Sequence, residues 1–358
     1  MVPKPFAAAP LRERPRGSPR LIVLALIHLL VLGAAVVATH AAQIAPFAQP
    51  DALPIVDVHG HLNGDMSAEQ LIDLMNETGV RQMVLMPRTF SGRGSGGSGS
   101  DEQAVTYATT YPGRFIPFVA GQRDLLDERA RWLNPDRQAA RLLREMEAEL
   151  RTRQFFGIGE LIVRHYAFTE PLGGRGSRGG KERDIPIDTP LMGQFAELAA
   201  RHHVPLLIHA EGEPDIVAGM RQVLARNPRT RVIWAHSCGR SSSGIIRSLL
   251  TAFPNLWCDL GGMLNAPFAP YGRYWPRQTP WMFLIEDGNG QLLPDMQALY
   301  EASPTRFFLG TDPAFTPSLR AYPRRISRFR QLLSCLTLET ARRLAFENAD
   351  EMFRQHGN

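Results

Sequence analysis

Leu53-Pro54-Ile55-Val56-Asp57-Val58-His59-Gly60-His61 is a mostly apolar run that ends in two histidines one residue apart. In an extended strand, side chains two apart face the same way. His59 and His61 therefore project together, with Gly60 on the other face, where lack of bulk helps close packing. A pair at that spacing suits chelation of a metal through imidazole nitrogen. A His-x-His alone is common, and this one gains meaning from four more polar residues further along the chain. Glu160 ends Gly157-Ile158-Gly159, His209 comes after Val204–Ile208, His236 after Val232–Ala235, and Asp312 after Phe307–Thr311. Each polar group sits at the carboxyl end of a short apolar run. That is where a parallel β/α barrel gathers catalytic side chains from different strands.

The rest of the chain keeps the same rhythm. Apolar runs of strand length occur at 53–58, 82–86, 115–120, 156–161, 204–208, 231–235, 256–260 and 307–310. Between them, stretches such as 68–78, 138–151, 191–202 and 215–226 carry helical periodicity. Eight continuously apolar strands separated by helices predict an α/β fold, a (β/α)₈ barrel whose parallel strands are buried on both faces. Two loops break the rhythm on the expected active-site face: Gly/Ser-rich 91–100 and Gly/Arg-rich 173–181. Each reads as a surface loop or as a lid, the second with an anion contact through Arg175, Arg178, Lys181 and Arg183. An excursion over 263–303 carries Tyr271, Tyr274, Trp275 and Trp281, which either cap the barrel or wall a substrate.

Each candidate has a plainer reading. An acid in an apolar strand is costly to bury unless paired or bound to a metal, so Glu160 either ligates or bonds to Arg164. His209 and His236 are ligands or satisfied core histidines. Asp312 is a site residue or the N-cap of a following turn. Asp57 is assigned a structural role. Other chemistries lack their signatures: there is no Gly-x-Ser-x-Gly elbow around Ser241–Ser243, no dinucleotide fingerprint, and no Walker loop, since Gly180-Lys181 precedes Glu182.

The chain has 358 residues, 44% of them apolar, which is ordinary for a globular protein. Residues 1–20 hold Lys4, Arg12, Arg14, Arg16 and Arg20 against Glu13, a net of +4 out of the total of +5. What remains is too little for a general nucleic-acid footprint. Residues 21–39 are apolar apart from His28 and Thr39. A basic segment before an apolar one is a secretory signal or a membrane anchor. The division expected is therefore a basic cytoplasmic segment (1–20), a transmembrane anchor or signal core (21–39), a linker (40–52) and a catalytic barrel (53–358). The catalytic part is expected to be exported, either anchored in the inner membrane and facing the periplasm or released there. Cys238, Cys258 and Cys335 are odd in number and not closely spaced, so they read as small apolar residues rather than a disulfide framework or a zinc site.

With those residues in hand, the chain resembles the amidohydrolase superfamily, in particular its amidohydrolase-related (second) branch, from about Leu53 to Phe353. Phe346-Glu347-Asn348-Ala349 looks like that branch's last helix. The resemblance makes His59 and His61 the first-strand metal ligands, His209 the fifth-strand ligand, His236 the sixth-strand histidine and Asp312 the eighth-strand acid. Many binuclear members use a carboxylated lysine on the fourth strand, but Lys4 and Lys181 are the only lysines and neither ends a strand. Glu160 stands there instead, as in the TatD-like deoxyribonucleases, which favours a carboxylate-bridged metal pair.

The resemblance implies a metal-dependent hydrolase that uses activated water to cleave an amide, ester, lactone or phosphoester of a small molecule. Asp312 would be the general base, and His236 would hold a metal or polarise the scissile group. The expected cofactor is one or two divalent ions, zinc first, with manganese or iron as alternatives. Two other readings stand beside it: a mononuclear non-oxidative decarboxylase, and an inactive, membrane-tethered binding protein.

Overall fold

A computed structural model describes residues 53–89, 97–166, 182–264, 283–313 and 316–354. All belong to the compact unit Gln49–Asn358. The basic leader, the apolar segment 21–39 and the linker lie outside the described residues, as do 173–181 and the four aromatic residues of the 263–303 excursion. Among the described residues, no helix is long and apolar enough to cross a membrane.

Eight strands form the wall. They are β1 (Ile55–Asp57, resuming at His61–Leu62), β2 (Val80–Thr89), β3 (Phe115–Pro117, Val119–Ala120 and Gln122–Arg123) and β4 (Ile158–His165), followed by β5 (Leu206–Ala210), β6 (Val232–Trp234), β7 (Leu256–Asp259) and β8 (Phe307–Phe308). Each pairs in parallel with the next in sequence, from Ile55 opposite Val80 round to Cys258 opposite Phe307. The Val58 N–H donates to the Leu309 carbonyl at 2.9 Å and closes the ring between β8 and β1. The expected (β/α)₈ barrel is what forms. One antiparallel addition, Arg183–Asp184, pairs with the end of β4.

The strands carry two apolar faces because the barrel has two cores. Val56, Val84, Ile116, Phe118, Leu207, Ile233 and Phe308 fill the interior. Met352 and Phe353, from the last helix (Asn348–Phe353), join that inner cluster. Asn348 fastens this helix by donating to the carbonyls of Pro304 and Phe307, both at 2.8 Å. The outer core lies between strands and helices, and the helix Ala68–Thr78 shows how one is cut to length. Ser67 and Gln70 form a reciprocal capping box at its start, Leu71, Ile72 and Met75 are buried, and Gly79 ends it in the left-handed conformation at φ 69°.

Candidate metal centre

The six residues singled out from sequence converge on one site, although Glu160 stands third in β4, which runs on to His165, rather than at that strand's end. His59 Nε2 and His61 Nε2 lie 3.3 Å apart. Glu160, from β4, faces both, its Oε1 3.5 Å from His59 Nε2 and its Oε2 3.5 Å from His61 Nε2. The same Oε1 lies 3.1 Å from His209 Nδ1 and 3.4 Å from His236 Nε2. Asp312 Oδ1 is 3.3 Å from His61 Nε2 and 3.8 Å from His59 Nε2. Two ligands bound at about 2.0–2.1 Å in a tetrahedron stand about 3.4 Å apart. Most of these separations match that edge, so the donor set fits a divalent ion. His59, His61 and Glu160 form one candidate triad, and Glu160, His209 and His236 a second.

The outer nitrogens of three histidines have partners that orient the rings, a feature the sequence reading missed. His59 Nδ1 lies 3.2 and 3.1 Å from the two oxygens of Asp259 on β7. His236 Nδ1 is 2.6 Å from the Gly261 carbonyl, which can only accept, so Nε2 is left for a metal. His209 presents Nδ1 inward, while Nε2 lies 3.3 Å from Glu211 Oε1 and 3.3 Å from His165 Nδ1. Such partners fix tautomer and ring orientation in metal sites. Glu160 is held in turn by Gln122, which donates to Oε2 at 2.7 Å and accepts from Arg88 at 3.1 Å. Asp259 lies inside the seventh apolar run, 256–260, so the polar-end signal that marked the others does not single it out in the sequence.

Electrostatics follow from this packing. Burial works against the charge on Glu160, but His209 and His59 outweigh it and hold the carboxylate well below its ordinary range. Burial likewise disfavours a charged His59, yet Asp259 and Glu160 raise its pKa to about 10. His209 is raised to about 9 by Glu160 and Glu211 against the same burial. His236 moves down, through burial and then Arg240 and His209. Protons held this firmly between anions are the ones a dication displaces. The Asp312 side chain is 22% exposed while those of His59 and His61 are 0% and 2%, so Asp312 is the group that solvent and substrate reach.

Three readings need correction. Glu160 is not paired with Arg164, which instead binds Asp184 at 2.9 Å, Asp215 at 3.1 Å and also Glu213. His236 does not simply end a strand. Residues 236–240 form a left-handed turn with φ of 58°, 53°, 51°, 71° and 59°, and only Gly239 is a glycine. Nor are Cys238 and Cys258 independent apolar residues: they form a disulfide, with Cα atoms 5.0 Å apart. The two follow from the fold together, because adjacent parallel strands bring positions 20 residues apart side by side. Cys335 is free and partly buried. Asp57 does have its structural role, accepting from Thr311 N at 2.9 Å, Thr311 Oγ1 at 2.5 Å and Tyr322 at 3.0 Å.

Close approach sets the backbone here. A Cβ on Gly262 (φ 60°) would come within 2.8 Å of Asp312 Oδ2, and one on Gly60 within 2.5 Å of the Val84 carbonyl oxygen. Of the Gly/Ser-rich loop, Gly99 donates to the Arg88 carbonyl at 3.0 Å and Ser100 caps the next helix, while 90–96 lie outside the described residues.

These observations define a class: a (β/α)₈ barrel with a divalent-metal centre at the carboxyl ends of its strands. The amidohydrolase family model matches residues 56–355, and the chain belongs to that family. No curated protein matches the sequence. Solved structures share the fold at low identity. An uncharacterised TIM-barrel protein from Bordetella bronchiseptica is 15% identical over 86% of this chain and 100% of its own, with a TM-score of 0.55. A dihydroxybenzoic acid decarboxylase from Polaromonas, with manganese and 2-nitroresorcinol bound, is 12% identical over 85% and 97%, at 0.51. A probable 2-pyrone-4,6-dicarboxylic acid hydrolase from Acinetobacter baumannii, with citric acid bound, is 14% identical over 84% and 99%, at 0.50.

Proposed function

We propose that this protein is an exported, metal-dependent hydrolase that cleaves an amide, ester, lactone or phosphoester of a small molecule with activated water. The observation that carries the reading is the placement of Glu160. Its two oxygens reach all four histidines, between the first-strand pair and the pair from β5 and β6. A carboxylate so placed suits a bridge between two ions, an arrangement that favours hydrolysis over one-metal decarboxylation.

His59, His61 and Asp312 would hold one ion, His209 and His236 the other, with Glu160 between them. Bound there, a divalent ion supplies Lewis acidity, acidifying water and polarising a substrate oxygen. Zinc suits the imidazole-rich, mixed N/O donor set best, with manganese or iron as alternatives. The chain's own part is positioning and proton transfer. Asp312 takes the proton of the attacking water on its partly exposed carboxylate and returns it to the leaving group. Asp259, Glu211 and Gln122 keep the inner groups oriented. Export is supported by the basic-then-apolar N-terminus and by the Cys238–Cys258 disulfide, a bond kept in oxidising compartments.

The test is Glu160→Gln. A neutral amide is a poor bridge between dications, so metal content should fall by about one ion per chain and turnover of a panel of lactones, amides and phosphoesters should vanish. Unchanged metal content in a folded variant would refute the bridging role. CO₂ release without water consumption would select the decarboxylase reading. Wild-type protein that takes up neither zinc nor manganese would select the binding-protein reading.

A further inference from the structure

A second site lies at the opposite end of the barrel. There the chain leading into β4, β5 and β6, together with the end of the last helix, encloses an open cavity of about 710 Å³. That volume is in the range of small-molecule pockets, roughly 300–1,000 Å³. Five arginines line it (Arg151, Arg153, Arg201, Arg231 and Arg354), with His202 and His203, and no Asp or Glu does. Its apolar lining includes Phe155, Phe156 and Phe353. Helix-dipole complementarity accounts for Arg151 and Arg201, each in the last turn of its helix and each near Glu147, at 3.2 and 3.6 Å. It does not account for the others. Arg231 is held by carbonyls, donating to Met352 at 3.0 Å and to His203.

The backbone gives a second, independent observation. Arg153 and His203 each follow a helix end in the left-handed conformation, at φ 60° and 55°. That position is normally given to glycine, or to asparagine, because a Cβ is strained there. Seven described non-glycine residues have positive φ: five at the metal centre and these two, both lining the cavity. Residues held in such conformations cluster at functional sites. Local folding alone would favour glycine at both positions, yet the chain places a guanidinium and an imidazole there.

We propose that this cavity binds a phosphate group carried on an apolar molecule, with the phosphate on the arginines and His203 and the apolar part against Phe155, Phe156 and Phe353. Guanidinium forks match phosphate geometry, and an open cavity rimmed by several of them suits a dianion better than a monocarboxylate. The carrier is a soluble phosphomonoester or the headgroup of an anionic lipid.

The experiment uses metal-loaded, full-length protein and Arg153→Gly and His203→Gly, singly and together. Calorimetry with phenyl phosphate and inorganic phosphate, and flotation with phosphatidylglycerol or phosphatidylcholine vesicles, read binding. Glycine suits both backbone positions, so the variants should melt no lower than wild type and keep their metal, while the double variant loses at least about tenfold in affinity. Phenyl phosphate binding tighter than inorganic phosphate, without vesicle capture, assigns a soluble ligand. Capture by phosphatidylglycerol alone, lost in the double variant, assigns a lipid headgroup. Binding of none of these probes, or equal binding by wild type and the double variant, overturns the proposal.

Discussion

Asp259→Asn tests the metal centre at a residue outside the proposed ligand set. Asp259 Oδ1 accepts from the backbone N–H groups of Gly261 at 2.8 Å and His236 at 3.3 Å, and both its oxygens face His59 Nδ1 at 3.2 and 3.1 Å. In the asparagine variant the amide oxygen keeps the two backbone bonds, which turns the amide nitrogen toward His59. Two N–H groups would then oppose each other, so the imidazole moves its proton to Nε2, the nitrogen that faces His61 and Glu160. A protonated Nε2 is no ligand. Loss of such an orienting partner typically costs 10–100-fold in metal affinity, about 1.4–2.7 kcal/mol.

The pH dependence makes this test sharper. In the metal-free protein burial pulls the His59 pKa down, while Asp259 and Glu160 bring it up to about 10. Below that value metal must displace a proton. Removing the Asp259 charge lowers the His59 pKa, so the variant gives up its proton more easily, and this offsets part of its deficit at low pH. The full 10–100-fold loss is therefore expected above about pH 10, where His59 is unprotonated in both proteins, narrowing as pH falls below that value toward about 6.5. Competition against a chelator of known zinc affinity across that range measures it, with circular dichroism to check folding. Wild-type affinity above pH 10 in a folded variant, or a deficit independent of pH, would refute the reasoning.

Asp312→Asn should depress turnover by roughly 10²–10⁴-fold with folding preserved; full activity would mean that Asp312 is not the base. His59 and His209, raised to about 10 and 9, stabilise the metal-free fold fully below the unfolded value near 6.5. That stability should disappear as pH rises through 9 to 10, so the melting temperature of chelator-treated protein should fall between neutral pH and pH 10, and less so after metal loading. Replacing Cys238 and Cys258 by serine opens a loop of 20-residue separation and should cost about 3 kcal/mol of stability, read by denaturant titration, while Cys335→Ser should cost little. A reporter fused after Asn358 should be active only outside the cytoplasm, and activity inside would refute export.

The barrel was legible because its strands have two apolar faces and lie in sequence order, so eight apolar runs specify eight neighbours. The helix Ala68–Thr78 could be placed to the residue because Ser67 and Gly79 mark its ends. The six inward groups were legible because a polar residue in or just after a buried apolar run is expensive unless it binds something. The supporting groups were not, since their meaning depends on contacts between strands. Glu211 and Arg240 form a buried pair at 2.6 Å, yet they are 29 residues apart and look like ordinary surface charges in the sequence. Asp259 sits inside its apolar run, and its meaning rests on His59, 200 residues away in the chain. The left-handed turn has little local signature beyond Gly239, since Ser237, Cys238 and Arg240 are not residues that favour that conformation.

That turn also shows where folding energy is spent. A non-glycine residue in the left-handed region costs roughly 1–2 kcal/mol, and four stand together here. A relaxed backbone would cost less and would aim His236 elsewhere. Three restraints oppose relaxation. The disulfide ties Cys238 to Cys258, whose register partner on β6 is Trp234, the last residue of that strand. Gly212 donates to the Gly239 carbonyl at 2.8 Å. Arg240 donates to both oxygens of Glu211, the carboxylate beside His209 Nε2. The last restraint joins the two histidines of the second triad, because the residue that pins the turn carrying His236 also fixes the partner of His209. Weakening Glu211 should therefore disturb both histidines at once, and weakening Asp259 should reach His236 as well as His59. The two triads share Glu160 on the inside, and Asp259 and Glu211 brace His59, His209 and His236 from outside, so these ligand positions are set before any ion arrives.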